Sequence, residues 1–321
     1  MESITKTVKV KQVRTKPLRR FTKEIIKNKW LYAMALPGFL VVFIFSYLPL
    51  QAHLIAFKEF NPMKGIWGSP WAGLDNVKFF FQGSDWINVT KNTIVLNLIF
   101  ITTGTIAALA IAIGLNEITS KWFKKISQTF LVLPHLISYM VVSLIVTQLF
   151  ASDNGMINNL IESLGGTPQA WFSKGALWPY ILSIIVLWKG AGWTSIIYLA
   201  TITGISEEIY ESARIDGASR MQQIWYITLP QLKPTIIILT LLALGKIFYG
   251  DFGLIYTIIG DNPMLLHSTD VIDTFTYRAL RQAGNYSMAS AVALFQSTMG
   301  FICILFFNWL TGKFDKDYKL F

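Results

Sequence analysis

Three ionisable side chains, Lys189, Lys246 and Asp251, interrupt segments that otherwise carry no charge. A charge at the centre of an apolar helix costs about 2.5–3.5 kcal/mol to place in a bilayer, so each must face protein or a wet cavity. Aromatic residues accompany them: Trp188 precedes Lys189, Trp193 follows four residues later, and Tyr249 lies three beyond Lys246. Residues three or four apart share a helix face. An aromatic ring beside a hydrogen-bonding group suits a sugar, whose C–H face stacks while its hydroxyls pair. The same residues also suit helix packing. Two roles therefore stand open for the charges. An ion pair to Asp251 could tie two segments together, or the lysines could line a pathway and favour acidic sugars such as uronic-acid oligosaccharides. His135, beside Pro134 in another uncharged run, fits a hydrogen-bonded core residue and equally a pathway residue. Gly190, Gly192, Gly245, Gly250 and Gly253 flank the charges and could let helices pack closely or unwind locally near a site, with packing the expectation.

Other chemistry is missing from the sequence. It contains no GxxxxGK[ST] phosphate loop, no HExxH and no Cys/His cluster. The histidines (His53, His135, His267) are far apart, and the single Cys303 excludes an intramolecular disulfide or a cysteine metal site. Catalysis by this chain is not expected, nor is a bound cofactor or metal. If the protein moves a solute, the energy comes from an ion gradient or from another subunit.

The elements that must position these residues are membrane helices. The 321 residues are 53% hydrophobic and only 14% charged, against about 25% charged for a soluble domain. Uncharged runs cover 30–57, 92–116, 126–152 and 282–312, and runs near 177–204 and 234–260 are broken only by the three charges above. Each exceeds the ~20 residues that cross a bilayer. The sequence thus predicts an all-α membrane protein with a basic segment at 1–29, a six-helix domain over 30–312 and a tail at 313–321. The net charge of +10 is read loop by loop. Nineteen lysines and arginines fall in the N-terminal segment, the 117–125 and 206–233 loops and the tail, against seven in the alternate loops. The positive-inside rule then places both termini in the cytoplasm. Trp30, Trp122, Trp178, Trp225 and Trp309 fall near span ends, as an interfacial belt would. The N-terminus does not read as a cleaved signal, and residues 18–29 fit either a helix on the inner membrane face or a plain disordered basic anchor. Arg278 and Arg281 are expected outside, touching an external protein or marking the interface.

The loop from Ser206 to Pro234 is the most informative segment. Ser206 reads as an N-cap, with Glu207 and Glu208 in the first turn. Ile209, Ala213 and Ile215 give a short helix one apolar side, Gly217 supplies a turn, and Pro230 marks the start of span five. The segment resembles the EAA loop of permease subunits in binding-protein-dependent ABC importers. Glu211-Ser212-Ala213, Asp216-Gly217-Ala218 and Ile227-Thr228-Leu229-Pro230 match its three parts, with Ser212 replacing an alanine. Trp71 to Phe79 is similar to the first outer loop of sugar permeases, and Asn285 to Ala291 to the start of their last helix. Asp270 to Tyr277 resembles the branch that imports complex oligosaccharides in Gram-positive bacteria.

The resemblance implies one half of a type I importer in the bacterial cell membrane. Glu211, Ser212, Ala213, Asp216, Gly217 and Ala218 would seat on an ATPase subunit. Two such ATPase subunits would bind the ATP and Mg. A second permease, related but not identical, and an extracellular solute-binding lipoprotein would complete the complex. The implied substrate is an oligosaccharide, for which pectin or rhamnogalacturonan fragments are the expectation. The competing reading is an ion-coupled transporter or channel, which would predict an internal repeat between three-span halves. No such repeat is evident.

Overall fold

The computed structural model of the chain describes residues 26–83 and 85–314. Most of the basic N-terminal segment, including residues 18–25 of the expected surface helix or anchor, and the tail beyond 314 lie outside the described residues. The chain divides into two units, Met1–His53 and Leu54–Phe321. The described part of the first is helical, with α1 (Lys29–Val42) running into a π turn at Phe43–Tyr47. Phe39, Phe43 and Tyr47 stack in sequence with 6.2 Å between successive ring centroids.

The second unit contains α2 (Asp85–Glu117), α3 (Lys121–Leu136), α4 (Tyr139–Phe150), α5 (Trp178–Thr203), α6 (Glu207–Ile215), α7 (Arg220–Gln223), α8 (Leu229–Leu244), α9 (Phe252–Ile259), α10 (Pro263–Thr269), α11 (Ile272–Arg281) and α12 (Tyr286–Phe314). Among the described residues there is no β-strand, only an isolated antiparallel bridge between Lys58 and Trp71. Helices dominate because hydrocarbon offers no partner to a backbone N–H or C=O, so each span must bond internally.

Five stretches are long and apolar enough to cross a membrane: Lys29–Phe57, Asp85–Glu117, Gly175–Thr203, Arg220–Leu244 and Tyr286–Lys313. The pair α3 and α4, bent by 92°, makes a sixth when its two helices are counted as one broken span. Two spans thus depart from the sequence expectation. Span three, read as continuous over 126–152, is severed at Ile137–Ser138, where both residues are extended. Span five, read over 234–260, begins earlier through α7 and a π turn, ends at Leu244, and resumes as α9.

Packing is close rather than hydrophobically driven, since lipid is as apolar as leucine. α2 and α5 lie along one another, with Ala108 and Ala112 buried beside Tyr198, Leu199 and Ile202. At Gly192 a Cβ would collide with the backbone carbonyl of Leu131 in α3. Gly250 and Gly253 are also pressed, against Val271 and the Tyr139 ring, whereas Gly190 faces open space and does not have the packing role expected of it. Trp178 departs from the belt as well. It is 0% exposed, its indole N–H donates to the Trp171 carbonyl at 2.9 Å, and the rings of Phe150 and Phe172 pack on it.

Candidate functional site

The two severed spans meet. Severing a helix inside a membrane frees backbone groups, and each costs several kcal/mol if left bare. At the span-three break the carbonyls of Pro134 and His135 accept from the Lys189 ammonium at 3.2 and 3.0 Å, and that of Ile137 accepts from it as well. At the span-five break, Asn97 Nδ2 donates to the carbonyls of Ile247 and Tyr249, both at 3.0 Å. Gln296 Nε2 donates to the Phe248 carbonyl at 2.7 Å, and the Gly250 N–H donates to Asp273 Oδ2 at 2.5 Å. Gln296 also donates to that carboxylate, at 2.9 Å. Asp251 caps α9 by accepting from the Leu254 N–H at 3.1 Å.

One side chain joins the breaks. Tyr139, the first residue of α4, donates its hydroxyl to Asp251 Oδ2 at 2.8 Å and presents its ring to the Lys189 ammonium at 5.0 Å. The direct lysine–Asp251 ion pair weighed from the sequence is therefore absent. The ion pairs among the described residues are Lys78–Asp75, Arg220–Glu117 and Arg278–Asp270. A cavity of about 460 Å3 opens beside the cluster, lined by His135, Tyr139, Lys189, Gly190 and Asp251 among others.

The other pathway candidates divide by exposure. Lys189 is 9% exposed, whereas Lys246 lies exposed in the span-five break with no partner for its ammonium among the described residues. Tyr249, also exposed, donates its hydroxyl to Ser297 Oγ at 3.2 Å. Trp188 and Trp193 are half exposed, and the exposed His135 ring lies flat on Trp193 at 4.8 Å. Sequence reasoning missed Tyr139, Asn97, Gln296 and Asp273. Asn97 and Gln296 did carry a signal, being amides inside otherwise apolar runs. Tyr139 carried none.

The 206–228 segment forms a rigid bracket at one end of α2. α6 ends in a paired closure, with the Gly217 N–H on the Arg214 carbonyl and the Ala218 N–H on the Ala213 carbonyl. That closure requires a left-handed residue, and Gly217 supplies it at φ +80°. Ser219 then caps α7 in a reciprocal box with Gln222. The bracket is tied down by Tyr210 Oη to Thr228 Oγ1 at 2.9 Å and by Arg220 to Glu117 at 2.9 Å. Ser206 makes no side-chain cap, so α6 starts without the hydrogen bond expected of it. Ile215 departs further: it is 87% exposed and does not share an inward face with Ala213. Glu211, Ser212, Asp216 and Gly217 are exposed too, and Ala213 and Ala218 are half-buried. Met221 and Tyr226 add exposed apolar surface nearby. A surface of acid, exposed apolar side chains and a locked turn suits a protein partner.

At the other end of α2, about 50 Å away by helix rise, lies Arg278, which the sequence left between touching an external protein and marking the interface. It pairs with Asp270, whose carboxyl also accepts from Thr274 at 2.6 Å. Burial pushes the Asp270 carboxyl up more than these two hydrogen bonds pull it down.

Comparison with known proteins resolves what this arrangement belongs to. Residues 100–320 match the binding-protein-dependent transport system inner membrane component. The chain belongs to that family. Protein LplB of Bacillus subtilis is 36% identical, over 91% of each chain. The polygalacturonan/rhamnogalacturonan transport system permease protein YteP of the same organism is 34% identical over 93% of this chain and 92% of its own. A chain from the crystal structure of a bacterial ABC transporter involved in import of the acidic polysaccharide alginate superposes with a TM-score of 0.84. It is 33% identical over 92% of this chain and 99% of its own. As a family member, the chain is a multi-pass permease subunit of the plasma membrane, working with an ATPase that is a separate subunit.

Proposed function

We propose that this chain is one of two permease halves of an ATP-driven importer for acidic oligosaccharides, polygalacturonan or rhamnogalacturonan fragments in particular. The observation that carries the substrate class is Lys246. It is an exposed ammonium with no partner among the described residues, set in the break where the apolar helix of span five has ended at Leu244, a place that suits water or an anion. Relatives named for polygalacturonan, rhamnogalacturonan and alginate support the same class, since all three are acidic polymers. Tyr249, Trp188, Trp193 and His135 supply stacking surface along the path, while Lys189, Tyr139 and Asp251 hold its walls.

In this reading the 30–312 domain carries the path and both termini face the cytoplasm, following the lysine and arginine bias. The 206–228 bracket then faces the cytoplasm and docks on one of two ATPase subunits, which bind ATP and Mg. Glu211, Ser212, Ala213, Asp216, Gly217 and Ala218 form that contact, with Ile215 added as an apolar anchor. A related second permease closes the cavity, and an extracellular lipoprotein delivers the sugar. A neighbouring structure, described as an alginate transporter with a pentasaccharide-bound periplasmic protein, supports that division of labour.

The test is uptake by the reconstituted complex of a galacturonate trimer and of a neutral galactose trimer. A charge-assisted hydrogen bond is worth about 1.5–3 kcal/mol, so Lys246→Gln should slow charged uptake by about tenfold or more and leave neutral uptake within about twofold. Equal loss of both would remove Lys246 from substrate contact.

A further inference from the structure

Lys189 is buried and, among the described residues, has no carboxylate partner. An ammonium has three N–H donors, and three carbonyls take them: Pro134, His135 and Ile137. No donor remains for a solute. We infer that Lys189 is a positioning residue that sets the bend in span three, and that Tyr139 and Asp251 couple this bend to the break in span five. The inference rests on the importer reading only for its transport consequences.

The physical need is specific. The C-terminal end of α3 carries orphan carbonyls and a partial negative charge. A 92° bend prevents α4 from satisfying them, and hydrocarbon cannot. The Ile137 N–H reaches only the Pro134 carbonyl, at 3.3 Å, and one buried cation answers the charge and supplies donors to the carbonyls of Pro134, His135 and Ile137. The clamp is reinforced from a second side, because His135 stacks on Trp193, which lies four residues beyond Lys189 in α5. The exposed aromatic surface of His135 and Trp193 is thus placed by a side chain that lines the cavity wall but whose ammonium donors are all taken by carbonyls.

The bend does not stand alone. Tyr139 begins α4 and its hydroxyl holds Asp251, which in turn caps α9. Ser143 donates to the Thr257 carbonyl at 2.5 Å one turn further on, and the Tyr139 ring lies against Gly253. α4 and α9 therefore move as one body, and either break can shift only if the other does.

The experiment is hydrogen exchange of the assembled complex in nanodiscs, followed by uptake. Lys189→Gln should speed exchange about tenfold or more at the amides of Tyr139–Val142 and also at Phe252–Ile255. Tyr139→Phe keeps the ring but removes the link, and should speed exchange at Phe252–Ile255 alone. Lys246→Gln should change neither. In uptake, Lys189→Gln and Tyr139→Phe should lower the maximal rate for charged and neutral trimers alike, with KM unchanged. Unchanged exchange at both breaks, or a Lys189→Gln defect confined to KM for the charged trimer, would overturn the inference. If Lys189→Gln does not assemble, Tyr139→Phe decides it: no faster exchange at Phe252–Ile255 contradicts the coupling. Because exchange needs no solute, a wild-type complex that takes up neither trimer would defeat the importer reading and leave the clamp to stand or fall by itself.

Discussion

At the scale of single residues, burial and partners separate side chains that the sequence treats alike. Lys189 and Lys246 read identically, as lone charges in apolar runs. Only the fold shows that one is saturated by carbonyls and the other has no partner among the described residues. The sequence lists types along a line, and the carbonyls that take Lys189 are more than fifty residues away. Gly217 is the opposite case, since its turn was legible from the motif and its φ of +80° bears it out. Its missing Cβ would meet nothing within 4 Å, so Gly217→Ala isolates backbone strain of about 1–2 kcal/mol. Solute-stimulated ATP hydrolysis should fall while the complex still assembles. Unchanged stimulation would show that the locked turn is dispensable. Asp273 was not legible as a functional residue. Its carboxylate holds the Gly250 N–H and Gln296, so Asp273→Asn should destabilise the detergent-solubilised protein by about 1–3 kcal/mol. Asp75→Asn, at an exposed carboxylate, should stay within about 0.5 kcal/mol in the same thermal melt.

At the scale of elements, span number was legible and span continuity was not. Uncharged length reports how many times a chain can cross, because insertion energy sums along a segment. It is blind to a break, because a break is stabilised by groups from other spans. Pro134 hints at trouble, but prolines occur in intact membrane helices as well. The breaks at 137–138 and 245–251 hold because Lys189, Asn97, Gln296 and Asp273 supply the lost hydrogen bonds. Helix contact can be tested with two glycines two positions apart in α5. Gly192→Val drives a side chain into the α3 backbone and should cost about 2 kcal/mol or more, with loss of assembled complex. Gly190→Ala meets open space and should stabilise α5 by about 0.5–1 kcal/mol. Equal effects of the two in thermal unfolding would contradict the packing described for α3 and α5.

At the scale of the whole molecule, the chain is a half that needs partners. Its bracket at 206–228 presents Glu211, Ile215 and Tyr226 outward, with nothing among the described residues to cover them. The bracket motif was legible because its residue types sit at fixed spacing, which is what the proposed partner contact would require. The direction of Ile215 was not, since helical spacing alone does not say which face meets a partner. The account stands on one claim, that this bracket joins the permease to a separate ATPase. The most direct measurement is mild purification of the tagged chain from its native membrane, with mass spectrometry of what accompanies it. The account predicts a second six-span permease and a P-loop ATPase with the wild-type chain. With Glu211→Ala combined with Gly217→Pro, it predicts the second permease alone. Recovery of this chain by itself, or an ATPase that remains bound to the double variant, would contradict it.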